Sequence, residues 1–94
     1  MGGAGKTPLT IEISRNLKKI GKNVHIIYKA FNTNINKDVL EVTKKSNPEL
    51  VGDEPIIASS VARTWICIDR RIGIEKAIKK RANICLLYTS DAAD

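Results

Sequence analysis

Three short apolar runs decide what this chain can fold into. Val24-His25-Ile26-Ile27-Tyr28, Trp65-Ile66-Cys67-Ile68 and Ile84-Cys85-Leu86-Leu87 are nearly continuous rather than alternating, the pattern of strands covered on both faces. Helical periodicity fills the gaps between them. Leu9, Ile13, Leu17 and Ile20 recur at spacings of four, four and three, predicting a helix over residues 7–20 with those residues as its buried stripe. Pro8 is tolerated in its first turn and Gly21 stops it. A second helix is expected over residues 53–62, opened by an acidic cap at Asp53 and the early Pro55. A third carries Ile74, Ala77 and Ile78 and runs to about Arg81. Strands alternating with helices point to the α/β class, a parallel sheet with crossover helices. Residues 32–48, polar and rich in Asn and Lys, read equally as loop, weak strand or weak helix.

Composition narrows the class further. With 43% hydrophobic and 28% charged residues in 94, the chain is globular rather than disordered. No apolar run approaches the roughly 20 residues that cross a bilayer. Cys67 and Cys85 lie inside apolar runs without a Cys-x-x-Cys pair, so neither a disulfide framework nor a zinc site fits, and a reducing compartment is expected. A formal charge of +6 favours anionic partners. Its clusters, Lys18-Lys19, Lys44-Lys45 and Lys79-Lys80-Arg81, fall near the ends of segments read as helical or open to a helical reading, where cations complement the macrodipole. They are not interleaved with stacking aromatics, so no nucleic acid is expected as a partner.

Gly2-Gly3-Ala4-Gly5-Lys6-Thr7 is the most informative stretch. Gly-Lys-Thr after a glycine-rich turn and before a helix is the core of a phosphate-binding P-loop. Glycines let consecutive N–H groups converge on an anion. Lys6 then reaches the β- and γ-phosphates, Thr7 offers its hydroxyl to Mg²⁺, and the helix adds its positive end. The strand that normally feeds such a loop, and the outer glycine of the general pattern, are missing ahead of Gly2. Downstream, Asp53 and Glu54 are adjacent carboxylates at a turn into a helix. Such a pair accepts a proton from an attacking hydroxyl or holds Mg²⁺, although residues of this kind more often serve as helix caps. Lys29 and Arg70 follow strand ends, where ligands gather in open parallel sheets. His25 reads as a satisfied core imidazole.

With both clusters in view, the chain resembles the tetraacyldisaccharide 4'-kinase family, the lipid A 4'-kinases of Gram-negative bacteria. Gly2-Gly3-Ala4-Gly5-Lys6-Thr7-Pro8 is similar to that family's P-loop, in which a proline follows the Thr. Val51-Gly52-Asp53-Glu54-Pro55 is similar to its Gly-Asp-Glu-Pro motif, and Ile68-Asp69-Arg70 to the strand end that comes next. The resemblance implies a P-loop NTPase-like, three-layer α/β fold. It also implies transfer of the ATP γ-phosphate to the 4'-hydroxyl of a lipid A disaccharide 1-phosphate, with Mg²⁺, at the cytoplasmic face of the inner membrane. Carried over by position, Lys6 and Asp53 would be catalytic, and residues Gly2, Gly3, Ala4, Gly5, Lys6 and Thr7 would hold ATP. Thr7 and Glu54 would face the metal. The lipid A precursor and the anionic membrane surface are the implied partners.

Two departures from the family pattern stand out. Tyr28-Lys29-Ala30-Phe31-Asn32 replaces a Ser-Arg-Gly-Tyr-Gly-like turn, and residues 88–94 stand where an Asp-Asp-Gly-Gln-like motif is expected. Residues 1–87 are accordingly read as a partial P-loop kinase domain with its first strand missing and no transmembrane segment. Residues 88–94 read as a non-native or disordered tail, and the isolated piece is expected to be inactive. The glycine-rich loop by itself would also suit another P-loop small-molecule kinase or an ATPase, and the spread of charge a basic interaction module.

Overall fold

The computed structural model describes residues 9–30 and 38–88. The chain runs α1 (Leu9–Lys19), β1 (Val24–Lys29), β2 (Val39–Val42), α2 (Pro48–Val51), α3 (Asp53–Ser59), β3 (Arg63–Cys67), α4 (Arg70–Lys79) and β4 (Ile84–Tyr88). The strands form one sheet in the order β2-β3-β1-β4. β1 pairs in parallel with β3, Ile27 opposite Trp65, and in parallel with β4, Ile27 opposite Leu87. The three apolar runs thus become the parallel strands. β2 corrects the all-parallel expectation: it runs antiparallel to β3, with Glu41 opposite Trp65, making the sheet mixed. Three half-buried residues and the buried Val42, among polar neighbours, carry no strand signature of their own. What holds β2 is β3. Arg63 reaches diagonally to Glu41 through Nε–Oε2 at 2.8 Å and Nη2–Oε1 at 3.3 Å, while its guanidinium lies 5.4 Å from the Trp65 ring centroid.

Helices cover both faces. Val24, Ile26 and Tyr28 of β1 pack with Ile11 of α1 and Ala58 of α3. On the other face Ile27, Trp65 and Cys67 pack with Ala77 and Ile74 of α4. Fully burying an isoleucine is worth about 1.5–3 kcal/mol, and Ile26, Ile27 and Ile66, all buried, lie on β1 and β3. The middle of the sheet is therefore the anchor. The ends of β1 and β4 are tied together at Asn23, whose N–H donates to Asn83 Oδ1 and whose amide donates to the Arg81 carbonyl, both at 2.8 Å. Lys18 Nζ donates to the Val61 carbonyl at 2.7 Å and pins α1 to the turn after α3.

α1 buries a different face from the one its periodicity predicts. Ile11 and Ser14 are buried and Leu17 partly so, whereas Leu9 and Ile20 remain 73% and 68% exposed and Ile13 is also exposed. Ser14 is accommodated because its hydroxyl donates to the Thr10 carbonyl at 2.8 Å. α3 ends at Ser59, earlier than expected, because Ser60 and Val61 turn the chain into β3. Lys44-Lys45 follow a strand rather than a helix, so the macrodipole explanation applies only to Lys18-Lys19 and Lys79. Among the described residues no helix is long and apolar enough to cross a membrane.

His25 is buried but only half satisfied, a correction to its reading as a fully paired core residue. Its Nδ1 accepts from Trp65 Nε1 at 3.0 Å, while Nε2 has no partner among the described residues. Burial, and secondarily Arg63, lowers its pKa from 6.5, and Glu41 opposes this. A depressed folded pKa means that the unfolded chain takes up the proton first. Stability is present above about pH 6.5 and is lost as pH falls toward the folded value, at roughly 1.4 kcal/mol per pH unit at most. Thermal melts followed by Trp65 fluorescence are expected to show lower stability at about pH 5.5 than at about pH 7.5. His25→Gln should flatten that dependence.

Candidate functional site

α3 and α4 each return the chain to a strand that runs parallel to β1, so both helices start at the carboxyl end of the sheet. Tyr28, near the end of β1, confirms this for α3: its hydroxyl lies 3.5 Å from Glu54 Oε2, at the long limit of hydrogen bonding. α4 begins immediately beyond β3 with Asp69 as its N-cap. Lys29, Asp69 and Arg70 thus lie together at the carboxyl end of the sheet, and Glu54 is tied to that end of β1 through Tyr28, the end where open α/β sheets bind ligands.

The Gly52-Asp53-Glu54-Pro55 sequence has a backbone reason. Gly52 sits at φ 95° and ψ 156°, a region open essentially to glycine alone. Its N–H closes α2 on the Pro48 carbonyl at 2.8 Å, and the next residue already starts α3. One residue is both the end of one helix and the cap of the next. Asp53 is thus not the expected acidic cap: it occupies the first helical turn, exposed, and α3 has no side-chain cap. The capping role falls to Asn47, which accepts from Glu49 N–H at 2.9 Å and caps α2. Gly52→Ala is expected to cost about 1–3 kcal/mol, read as a lower urea midpoint at unchanged slope. A midpoint equal to that of the parent chain would refute this strained turn.

Two cations stand at this end of the sheet. Lys29 and Arg70 make no ion pair among the described residues, and Arg70 Nε is buried without a partner. The nearby carboxylate is engaged elsewhere. Asp69 accepts from the Arg71 backbone N–H at 2.9 Å and pairs with the Arg71 guanidinium at 3.3 Å, which together hold its carboxyl below the ordinary range. Lys29, Ile68, Asp69 and Arg70 line an open hollow of about 350 Å³. Cys67 lies beneath, its thiol pushed up by burial and partly drawn back by the Gly73 N–H. Cations at a strand end suit a phosphate. Adjacent carboxylates suit Mg²⁺, which usually takes one or two such groups together with phosphate oxygens and water. Among the described residues no three acidic, His or Cys side chains cluster as a ready-made metal cage.

Gly2, Gly3, Ala4, Gly5, Lys6 and Thr7 lie outside the described residues, as do Phe31, Asn32 and residues 89–94. Of the residues singled out by sequence, Lys29 and Arg70 line one hollow with Ile68 and Asp69, and Glu54 lies against Tyr28. The structure adds Tyr28, whose contact with Glu54 had no local signal: an aromatic at the end of a buried strand reads simply as core.

A family model described as tetraacyldisaccharide-1-P 4'-kinase matches residues 1–91. The chain belongs to that family. Among tetraacyldisaccharide 4'-kinases, that of Gluconobacter oxydans is 35% identical over 86 residues, covering 92% of this chain and 26% of the relative. Those of Legionella pneumophila strain Corby and Polynucleobacter necessarius are 32% and 29% identical, each over 97% of this chain. The chain spans about a quarter of the length of these 4'-kinases. No solved structure matches it. Family membership agrees with the resemblance carried by the three motifs, including Gly52-Asp53-Glu54-Pro55 at the sheet edge.

Proposed function

We propose that this chain is part of a kinase that transfers the ATP γ-phosphate to the 4'-hydroxyl of a lipid A disaccharide 1-phosphate, at the cytoplasmic face of the inner membrane. The observation that carries the reading is Asp53, which opens α3 exposed and free of capping duty. Phosphoryl transfer asks a protein mainly for positioning and charge neutralisation. Asp53 accepts the proton of the sugar hydroxyl as its oxygen bonds to phosphorus and the bond to the departing ADP oxygen breaks. Lys6 and the amides of residues 2–7 offset charge on the transferred group and hold ATP. Mg²⁺, when bound, supplies further neutralisation, and Thr7 and Glu54 are the residues that would hold it. The +6 charge suits the anionic membrane surface on which such a substrate resides.

The test is a chimaera in which residues 1–88 replace the matching segment of the Gluconobacter oxydans 4'-kinase, assayed with ATP and tetraacyldisaccharide 1-phosphate. ATP-dependent phosphorylation is expected, with Lys6→Ala reducing it by roughly 10²–10³-fold. A folded chimaera without transfer, or one indifferent to Lys6→Ala, would count against the proposal.

A further inference from the structure

His25 and Trp65 are the single histidine and the single tryptophan of the chain, and they meet inside the sheet. Both are buried, His25 on β1 and Trp65 on β3. The indole Nε1–H donates to His25 Nδ1 at 3.0 Å, and the two rings stack with centroids 6.2 Å apart. Nδ1 can accept only while it carries no proton, so the neutral imidazole bears its hydrogen on Nε2, which is buried with no partner among the described residues. The contact with Trp65 therefore exists only with an uncharged ring.

From Trp65 the chain of contacts runs outward to the sheet margin. The Arg63 guanidinium lies 5.4 Å from the indole centroid and pairs with Glu41 of β2 at 2.8 Å. Glu41 stands opposite Trp65 in register, and Val39, on the same side of β2, packs against the cluster that contains Trp65. One side of β2 thus leans on one indole. The other side is held separately, Val42 packing with Ile66 and Val51. Just ahead of β2, the Asp38 carbonyl accepts from the Ile68 N–H at 3.0 Å, and Ile68 lines the hollow with Lys29 and Arg70. The imidazole in the core is connected in this way to the wall of the candidate ligand site.

Around His25 the charged and titratable groups are few. Arg63 on β3 lies opposite it in register and repels positive charge, Glu41 on β2 attracts it, and β4 presents the Cys85 thiol. α4 and the turn after it contribute only the apolar Ile74, Ala77 and Ala82 to this core.

We propose that protonation of His25 releases β2, through an acid-operated latch built from His25, Trp65, Arg63 and Glu41. A proton taken from solvent binds Nδ1, where it faces the indole N–H, and two donors cannot share one hydrogen bond. Trp65 leaves its place, Arg63 loses its ring, and the side of β2 that rests on them comes free while Val42 stays packed on Ile66. The bond from Ile68 to Asp38 weakens with it, loosening one wall of the hollow. The latch is independent of the kinase chemistry, because it rests on these contacts alone.

Since each reporter ring occurs once, NMR of the 94-residue chain tests the latch directly. Between about pH 7.5 and about pH 4.5, a range that spans histidine titration, the His25 ring, the Trp65 indole N–H and the Val39–Val42 amides should move with one midpoint. Amide exchange, taken relative to the intrinsic rate at each pH, should show protection at Val39–Val42 falling roughly threefold to tenfold on protonation, the weight of one net hydrogen bond. That fall should exceed the one at Ile26 and Ile27. His25→Gln, which has nothing to protonate and still offers the indole an acceptor, should abolish the response. Glu41→Gln should loosen β2 at both ends of the range and leave the indole titration in place. The latch is overturned by an indole N–H that stays put as His25 titrates, by equal losses at β1 and β2, or by a pH response unchanged in His25→Gln. A His25 that protonates only as the whole chain unfolds overturns it as well, and this reading needs no variant to fold.

Discussion

Asp53→Asn in the chimaeric 4'-kinase is expected to lower kcat by about 10²–10⁴-fold, the range that a positioned general base contributes, with KM for both substrates little changed. Asn keeps the size of the side chain and removes its ability to accept a proton. Since Asp53 makes no capping hydrogen bond in α3, the substitution has no such bond to break, and the urea midpoint should stay within about 0.5 kcal/mol of the parent in free-energy terms. That separation makes the result informative. A large loss of stability with the loss of rate would assign Asp53 a structural duty, and an unchanged rate would remove it from the chemistry. Glu54→Gln should act differently, weakening the dependence on Mg²⁺ concentration rather than abolishing turnover, because Glu54 is partly buried beside Tyr28.

Gly73→Val is expected to destabilise the chain by about 3 kcal/mol or more, enough to unfold a small domain of ordinary stability. A Cβ at Gly73 would lie 2.8 Å from Cys67 Sγ and 2.9 Å from Ile27 Cγ2. Both neighbours are fully buried, so α4 would have to lift off the sheet. Gly73→Ala is the finer probe. Helix propensity favours alanine by about 1 kcal/mol, whereas overpacking costs about 1–3 kcal/mol, so a small net loss is expected in urea denaturation. A stabilising Gly73→Ala would disprove the close approach. Combining it with Cys67→Ala, which removes the nearest sulfur, should recover part of the loss if the two sites are coupled through that contact.

Much of this architecture is legible in the residues themselves. Strands buried on both faces leave a local mark, and the runs that became β1, β3 and β4 each carry it. β2 leaves none, since three of its four residues are only half buried and it is held by Arg63 and Trp65 from more than twenty positions away in the chain. The same distinction explains the face of α1. Periodicity weighs Leu9, Ile13 and Ile20 by size, while the packing chose Ile11 and the small, self-satisfied Ser14. At the site, Lys29 and Arg70 are visible because strand ends are a general rule. That Asp53 does not cap its helix is invisible, because it depends on α2 ending at the same glycine. Whether a carboxylate serves its own helix or remains available to a ligand is thus decided by the element before it.

The reversed β2, clasped by Arg63 and Glu41, also bears on self-association. Among the described residues β4 is the apolar margin of the sheet, and two copies joined there around a twofold axis would extend each other's hydrogen-bonding ladder. Such a pairing leaves as outer margins the four-residue β2 strands, whose shortness makes them poor templates for further growth into fibrils.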